Sequence, residues 1–179
     1  MERLNRFYYS INFKTSINLK SAILIITNIF LTLPGTEIPV VVMTLEGTDP
    51  TLPSLYLNSH MDVVPVELEM WSYPPFEAQI HDGKVYARGS QDMKCLPVQY
   101  LEAIRRLKQA GKTFKRTIHL GFTPEEELGS YDGMAKFVLR PEWKKLNVGH
   151  CLDEGLASPS DKFRIFYSER ARWWVNSVF

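Results

Sequence analysis

The sequence predicts an α/β fold with helices covering a largely parallel sheet. Three observations carry this. Apolar stretches of strand length recur along residues 37–157, a helical periodicity separates them, and turn signals bound them. The composition agrees: of 179 residues, 45% are hydrophobic and 23% charged, the balance of an ordinary globular protein. A chain of this length buries roughly 70% of its unfolded surface, enough to build a core.

The first clear strands are residues 40–45 and 55–58, separated by the turn Glu46-Gly47-Thr48-Asp49-Pro50. A short strand over 84–87 follows the turn signal Asp82-Gly83. Met93, Leu96, Tyr100, Leu101, Ile104 and Leu107 then recur at three-to-four spacing and predict a helix that Gly111 stops. Pro97 fits only the first turn of that helix. Residues 117–123 read as a strand, 134–139 as a short helix ended by Arg140-Pro141, and 148–152 as a last apolar strand. Residues 163–167 are strand-like, and Trp173-Trp174-Val175 follow.

Residues 1–36 differ from the rest. A basic start precedes the apolar stretch 22–33, closed by Pro34-Gly35. Its twelve or so residues are fewer than the ~20 a membrane-spanning helix needs, so a membrane role is disfavoured. No small-residue cleavage site follows it, and its β-branched content predicts a buried strand. A signal or anchor segment and disorder are the competing readings.

Charge narrows the function. With 21 basic and 20 acidic residues, the chain lacks the basic excess of a nucleic-acid binder. Two cysteines, Cys95 and Cys151, are too few for a disulfide framework, and a reducing, cytoplasmic setting is expected.

The chemistry sits where predicted strands end. His60 and Asp62 are two apart on an extended segment and face the same way. An imidazole is a good zinc ligand, and a carboxylate commonly orients such a ring. Asp92 lies between a strand and a helix, where it serves equally as an N-cap or as a carboxylate bridging two cations. Glu125-Glu126-Glu127 follow another strand, and three adjacent carboxylates repel unless solvent or a cation neutralises them. Asp153-Glu154 follow the last. Each motif alone reads more readily as a solvated loop, a satisfied histidine or an N-cap. Together they place His, Asp, Glu and Glu at the ends of four predicted strands, which points to a hydrolytic di-metal site.

The ordered motifs His60-Met-Asp-Val-Val-Pro65, Ala87-Arg-Gly-Ser-Gln-Asp-Met-Lys94, Pro124-Glu-Glu-Glu-Leu-Gly129 and Leu152-Asp-Glu-Gly155 resemble the zinc-dependent aminoacylase and carboxypeptidase metallopeptidases. The resemblance covers about residues 37–175, with 1–36 a divergent segment and 176–179 a tail. It implies a three-layer α/β/α sandwich that hydrolyses the amide bond of N-acyl-L-amino acids with two zinc ions. By this resemblance His60 and Glu154 bind the first zinc, Asp92 bridges both, and Glu127 binds the second. Glu126 is then the general base, and Asp62, the other candidate catalytic residue, is the carboxylate behind His60.

The family also draws a further histidine ligand and a lid or dimerisation domain from regions with no counterpart here. The expectation is therefore an incomplete catalytic domain that binds at most one zinc tightly, is weak or inactive as an amidase and lacks the family's homodimer contact. Two other readings stand beside it: a non-catalytic relative that binds a partner or is unstable, and a sibling carboxypeptidase or dipeptidase on the same ligands. His81, His119 and His150 match none of the ligand motifs.

Overall fold

The computed structural model describes residues 27–32, 39–156 and 158–168. Five strands form the main sheet: β1 (Thr27–Thr32), β2 (Pro39–Leu45), β3 (Ser54–His60), β6 (Ile118–Thr123) and β7 (Val148–Leu152), in the order β1-β2-β6-β3-β7. β3 pairs parallel with β6 and β7, while β2 pairs antiparallel with both β6 and β1. Four strands therefore point one way and β2 alone opposes them, so the sheet is mostly parallel as predicted. A separate hairpin pairs β4 (Gln79–His81) with β5 (Lys84–Tyr86) across Asp82-Gly83.

Alternation along each strand splits the core between two faces. Val40, Val42 and Tyr56 face one side, under Phe137 and Leu146. Phe137 ends α2 (Met134–Phe137), and Leu146 caps α3 (Pro141–Lys145). Trp143 of α3 meets Tyr56 and Phe137 edge-on, with ring centroids 5.1 and 5.5 Å apart. Leu45, Leu57, Ile118, Leu120 and Phe122 face the other side, under Ile104 of α1 (Cys95–Gln109). Helices on both faces make the three layers. Burying side chains of this size contributes ~1.5–3 kcal/mol each.

The helix α1 obeys its local signals. Pro97 sits in its first turn, where a missing N–H costs nothing. At its end Gly111 adopts φ 71°, its N–H donates to Lys108 O at 2.9 Å, and Lys112 N–H donates to Leu107 O at 3.0 Å. That pair of bonds satisfies two carbonyls the helix would leave open. Gly121, in β6, is required for a different reason, because a Cβ there would overlap the Tyr56 hydroxyl.

Departures from the sequence reading are local. Residues 163–167 are not a strand: among the described residues no strand pairs with them, and Phe163 and Tyr167 are fully exposed. Pro141 begins α3, because proline is tolerated at a helix's first position. β4 is too short and polar to show a pattern. Within the 22–33 stretch, residues 27–32 form β1 at the sheet's edge, and the rest of that stretch lies outside the described residues, as do Trp173-Trp174-Val175.

Candidate metal centre

Because β3, β6 and β7 run in parallel, their carboxyl ends open onto one place, where α/β sheets put their ligands. His60 is the last residue of β3; the Glu125–Glu127 turn follows β6, and Asp153-Glu154 follow β7. Asp92 arrives from the loop before α1. That loop turns at Gly89 (φ 80°), where a Cβ would stand 2.6 Å from Val63 Cγ1.

His60 is the centre of the group and only 2% exposed. Its Nδ1 is 3.0 Å from the Asp62 backbone carbonyl, which can only accept, so Nδ1 carries hydrogen. Its Nε2 faces carboxylates: Asp92 Oδ1 at 3.0 Å, Glu154 Oε1 at 3.4 Å and Glu126 Oε2 at 3.9 Å. Two sets of ligand atoms lie mutually within 4.8 Å, namely His60-Asp92-Glu127 and His60-Glu126-Glu154. All the metal ligands read from the sequence, together with Glu126, are thus brought together.

Asp62 does more than stand behind the imidazole. Its Oδ1 is 3.5 Å from His60 Nδ1, and its two oxygens accept the N–H groups of Glu126 and Glu127, each at 3.0 Å. Glu125 makes this possible by adopting φ 63°, an uncommon left-handed conformation that turns the next two amides back towards β3. Lys94 Nζ donates to Met61 O at 2.6 Å and holds the same loop from the other side. Neither this grip on the turn nor the role of Lys94 was read from the sequence. The sign available was period two: Asn58, His60 and Asp62 share one direction along β3 and its extension.

Electrostatics mark the cluster as short of positive charge. Burial opposes a charge on His60, but Asp62, Glu154 and Asp92 outweigh it and push its pKa up to about 9. Burial and then the Asp92 charge push Glu154 up to about 7, and the same two causes raise Glu127. Burial also opposes a charged Asp62, yet His60 and the two amide donors hold its pKa below the ordinary carboxylate value. A proton on His60 Nε2 sits where a cation would go. One imidazole and four carboxylates form the nitrogen-and-oxygen donor set that suits a divalent metal, so the residues present fit one.

The remaining histidines stay apart. His119 is buried, with Nδ1 2.9 Å from Thr44 Oγ1 and Nε2 3.0 Å from Leu146 O. His81 stacks on Tyr73 at 3.7 Å, and His150 is exposed on β7. No described helix is long and apolar enough to cross a membrane.

Comparison with known proteins bears on this geometry. The sequence pattern of Peptidase family M20/M25/M40 matches residues 56–165. Aminoacylase-1 of Homo sapiens is 58% identical over 137 residues, 76% of this chain and 34% of the relative. Aminoacylase-1 of Dictyostelium discoideum is 50% identical over 143 residues, 79% of this chain and 35% of the relative. Among solved structures, an M20 family metallo-carboxypeptidase from Sulfolobus solfataricus superposes with a TM-score of 0.63 at 26% identity, covering 73% of this chain and 29% of that one. The chain spans about a third of the length of the curated relatives it matches.

Proposed function

The chain belongs to peptidase family M20/M25/M40, and from that premise we propose that its cluster serves metal-dependent hydrolysis of the amide bond of N-acyl-L-amino acids. The observation that carries this reading is the convergence of His60 Nε2 with Asp92, Glu126, Glu127 and Glu154 at the carboxyl ends of parallel strands. Similarity to aminoacylase-1 supports the choice of substrate class.

His60, Asp92 and Glu154 would hold one zinc ion, and Asp92 and Glu127 would offer oxygen ligands to a second. A bound divalent cation supplies Lewis acidity, acidifying water and polarising an amide carbonyl. Glu126 takes a proton from the attacking water on a carboxylate oxygen and delivers it to the departing amine. Asp62 acts as a positioning residue. It fixes the imidazole from behind and pins the turn that carries Glu126 and Glu127. Among the described residues His60 supplies the cluster's one imidazole, so a first cation would be held more tightly than a second. The free thiols Cys95 and Cys151 fit a reducing compartment such as the cytoplasm.

Zinc counted per chain, together with amine release from N-acetyl-L-methionine, tests the proposal. One tight zinc and metal-dependent release support it. A chain that binds no zinc, or that turns over equally well in chelator, defeats it. Similarity to the Sulfolobus carboxypeptidase favours one rival, cleavage of a C-terminal peptide bond. Faster release from unblocked dipeptides than from N-acetyl amino acids would select that rival.

A further inference from the structure

We propose that Asn58 is a positioning residue of the metal centre, holding Glu154 in place through Asp153. The inference rests on the reading of the cluster as a cation site.

The pairing of β3 with β7 ends at Leu57 and Leu152. Beyond it the chain bearing Glu154 has no strand partner. β7 is an edge strand, and residues 151–156 are exposed. Where the ladder stops, Asn58 takes over: its Nδ2 donates to Asp153 Oδ2 at 2.9 Å. Asp153 Oδ1 in turn accepts the Glu154 N–H at 2.9 Å. Glu154 then presents Oε1 3.4 Å from His60 Nε2. Among the described residues, the Asn58 bond is the one hydrogen bond that ties residues 153–156 to the rest of the fold.

The character of Asn58 supports a dedicated role. It is 9% exposed, and its Oδ1 is buried without a partner. A buried amide with one unmet group costs stability, and an apolar residue would avoid that cost. The bond it does make is charge-assisted and part-buried, which strengthens it. Asn58 also lies two residues before His60, on the same side of β3, so one strand carries both the imidazole and the anchor of its carboxylate partner. Partners that orient a ligand typically change metal affinity by 10–100-fold.

Cobalt(II) tests this without turnover. Titration calorimetry and visible absorption of the bound ion are measured for the wild-type chain, Asn58→Leu, Asp153→Ala and the double variant. Asp153 lies on the surface, so its variant folds even if Asn58→Leu does not. We expect each single variant to bind cobalt ~10-fold more weakly, with an altered visible spectrum, and the double variant to lose no more than Asp153→Ala alone. Unchanged affinity and spectrum in Asp153→Ala, or losses in the double variant that simply add, overturn the proposal. A wild-type chain that takes up no cobalt overturns the cation-site reading itself, and this proposal with it.

Discussion

The ends of β3 and β7 both deliver a candidate ligand to the same cluster, yet they are built in opposite ways. β3 lies between two parallel neighbours, and five of its residues are buried without a break up to His60. β7 is an edge strand whose last four residues are exposed, and its carboxylate hangs beyond the ladder on one side-chain bond. The imidazole is placed by the core, whereas Glu154 is placed by a polar tether. A site can therefore be rigid about one ligand and adjustable about another.

The contrast can be broken at several points. The largest effect belongs to the core-placed ligand. His60→Ala lowers zinc affinity by more than about 100-fold, beyond the range of orienting partners; calorimetry reads it, and a loss under tenfold would mean the carboxylates alone suffice. Gly121→Ala strikes β3 from its other neighbour, β6, since its methyl would overlap the Tyr56 hydroxyl. It costs ~2–3 kcal/mol in urea unfolding. Glu126→Gln removes amide hydrolysis but leaves zinc affinity within a few-fold, because Gln cannot accept the proton; retained turnover would end its assignment as base. Amide hydrogen exchange compares the strands directly: the β3 amides from Leu57 to His60 outlast those from His150 to Leu152, and equal rates would dissolve the distinction.

The smallest effect is a pH dependence near the start of β6, at the opposite end of the strand from the cluster. Burial lowers the His119 pKa below its ordinary 6.5, only partly offset by its bond to Leu146 O. The native state thus resists protonation that the unfolded chain accepts. Its stability is fully present above pH 6.5 and declines as pH falls through the depressed native value. His119→Gln flattens that part of the urea-unfolding profile between pH 7 and 5, and an unchanged slope would assign the dependence to other groups.

The sequence exposed strands by composition and α1 by period, because those signals are local. It also marked His60, Asp62, Asp92, Glu126, Glu127 and Glu154 as candidates, because each lies in an ordered motif at a predicted strand end or helix start and those motifs resemble a known family. What it hid depends on partners. Nothing in residues 163–167 says that no strand will meet them. Asp62 carries no mark of the amides 64 and 65 positions away that it accepts. Asn58 reads as an ordinary strand residue until β7 is set beside it. Pro141 misled because proline ends one helix and starts another with equal ease.

The alternation of Asn58, His60 and Asp62 bears on which sequence changes descendants of this chain can survive. A one-residue insertion or deletion within β3 reverses the facing of everything beyond it. It would turn the imidazole, Asp62 behind it and the Asn58 anchor of Glu154 away from the site in a single step. The exposed turn before Ser54 carries no such phase, and the connection after Met61 can lengthen only if Asp62 still reaches the Glu126 turn. Length variation among relatives should accordingly gather before Ser54 and be excluded from Ser54–Asp62.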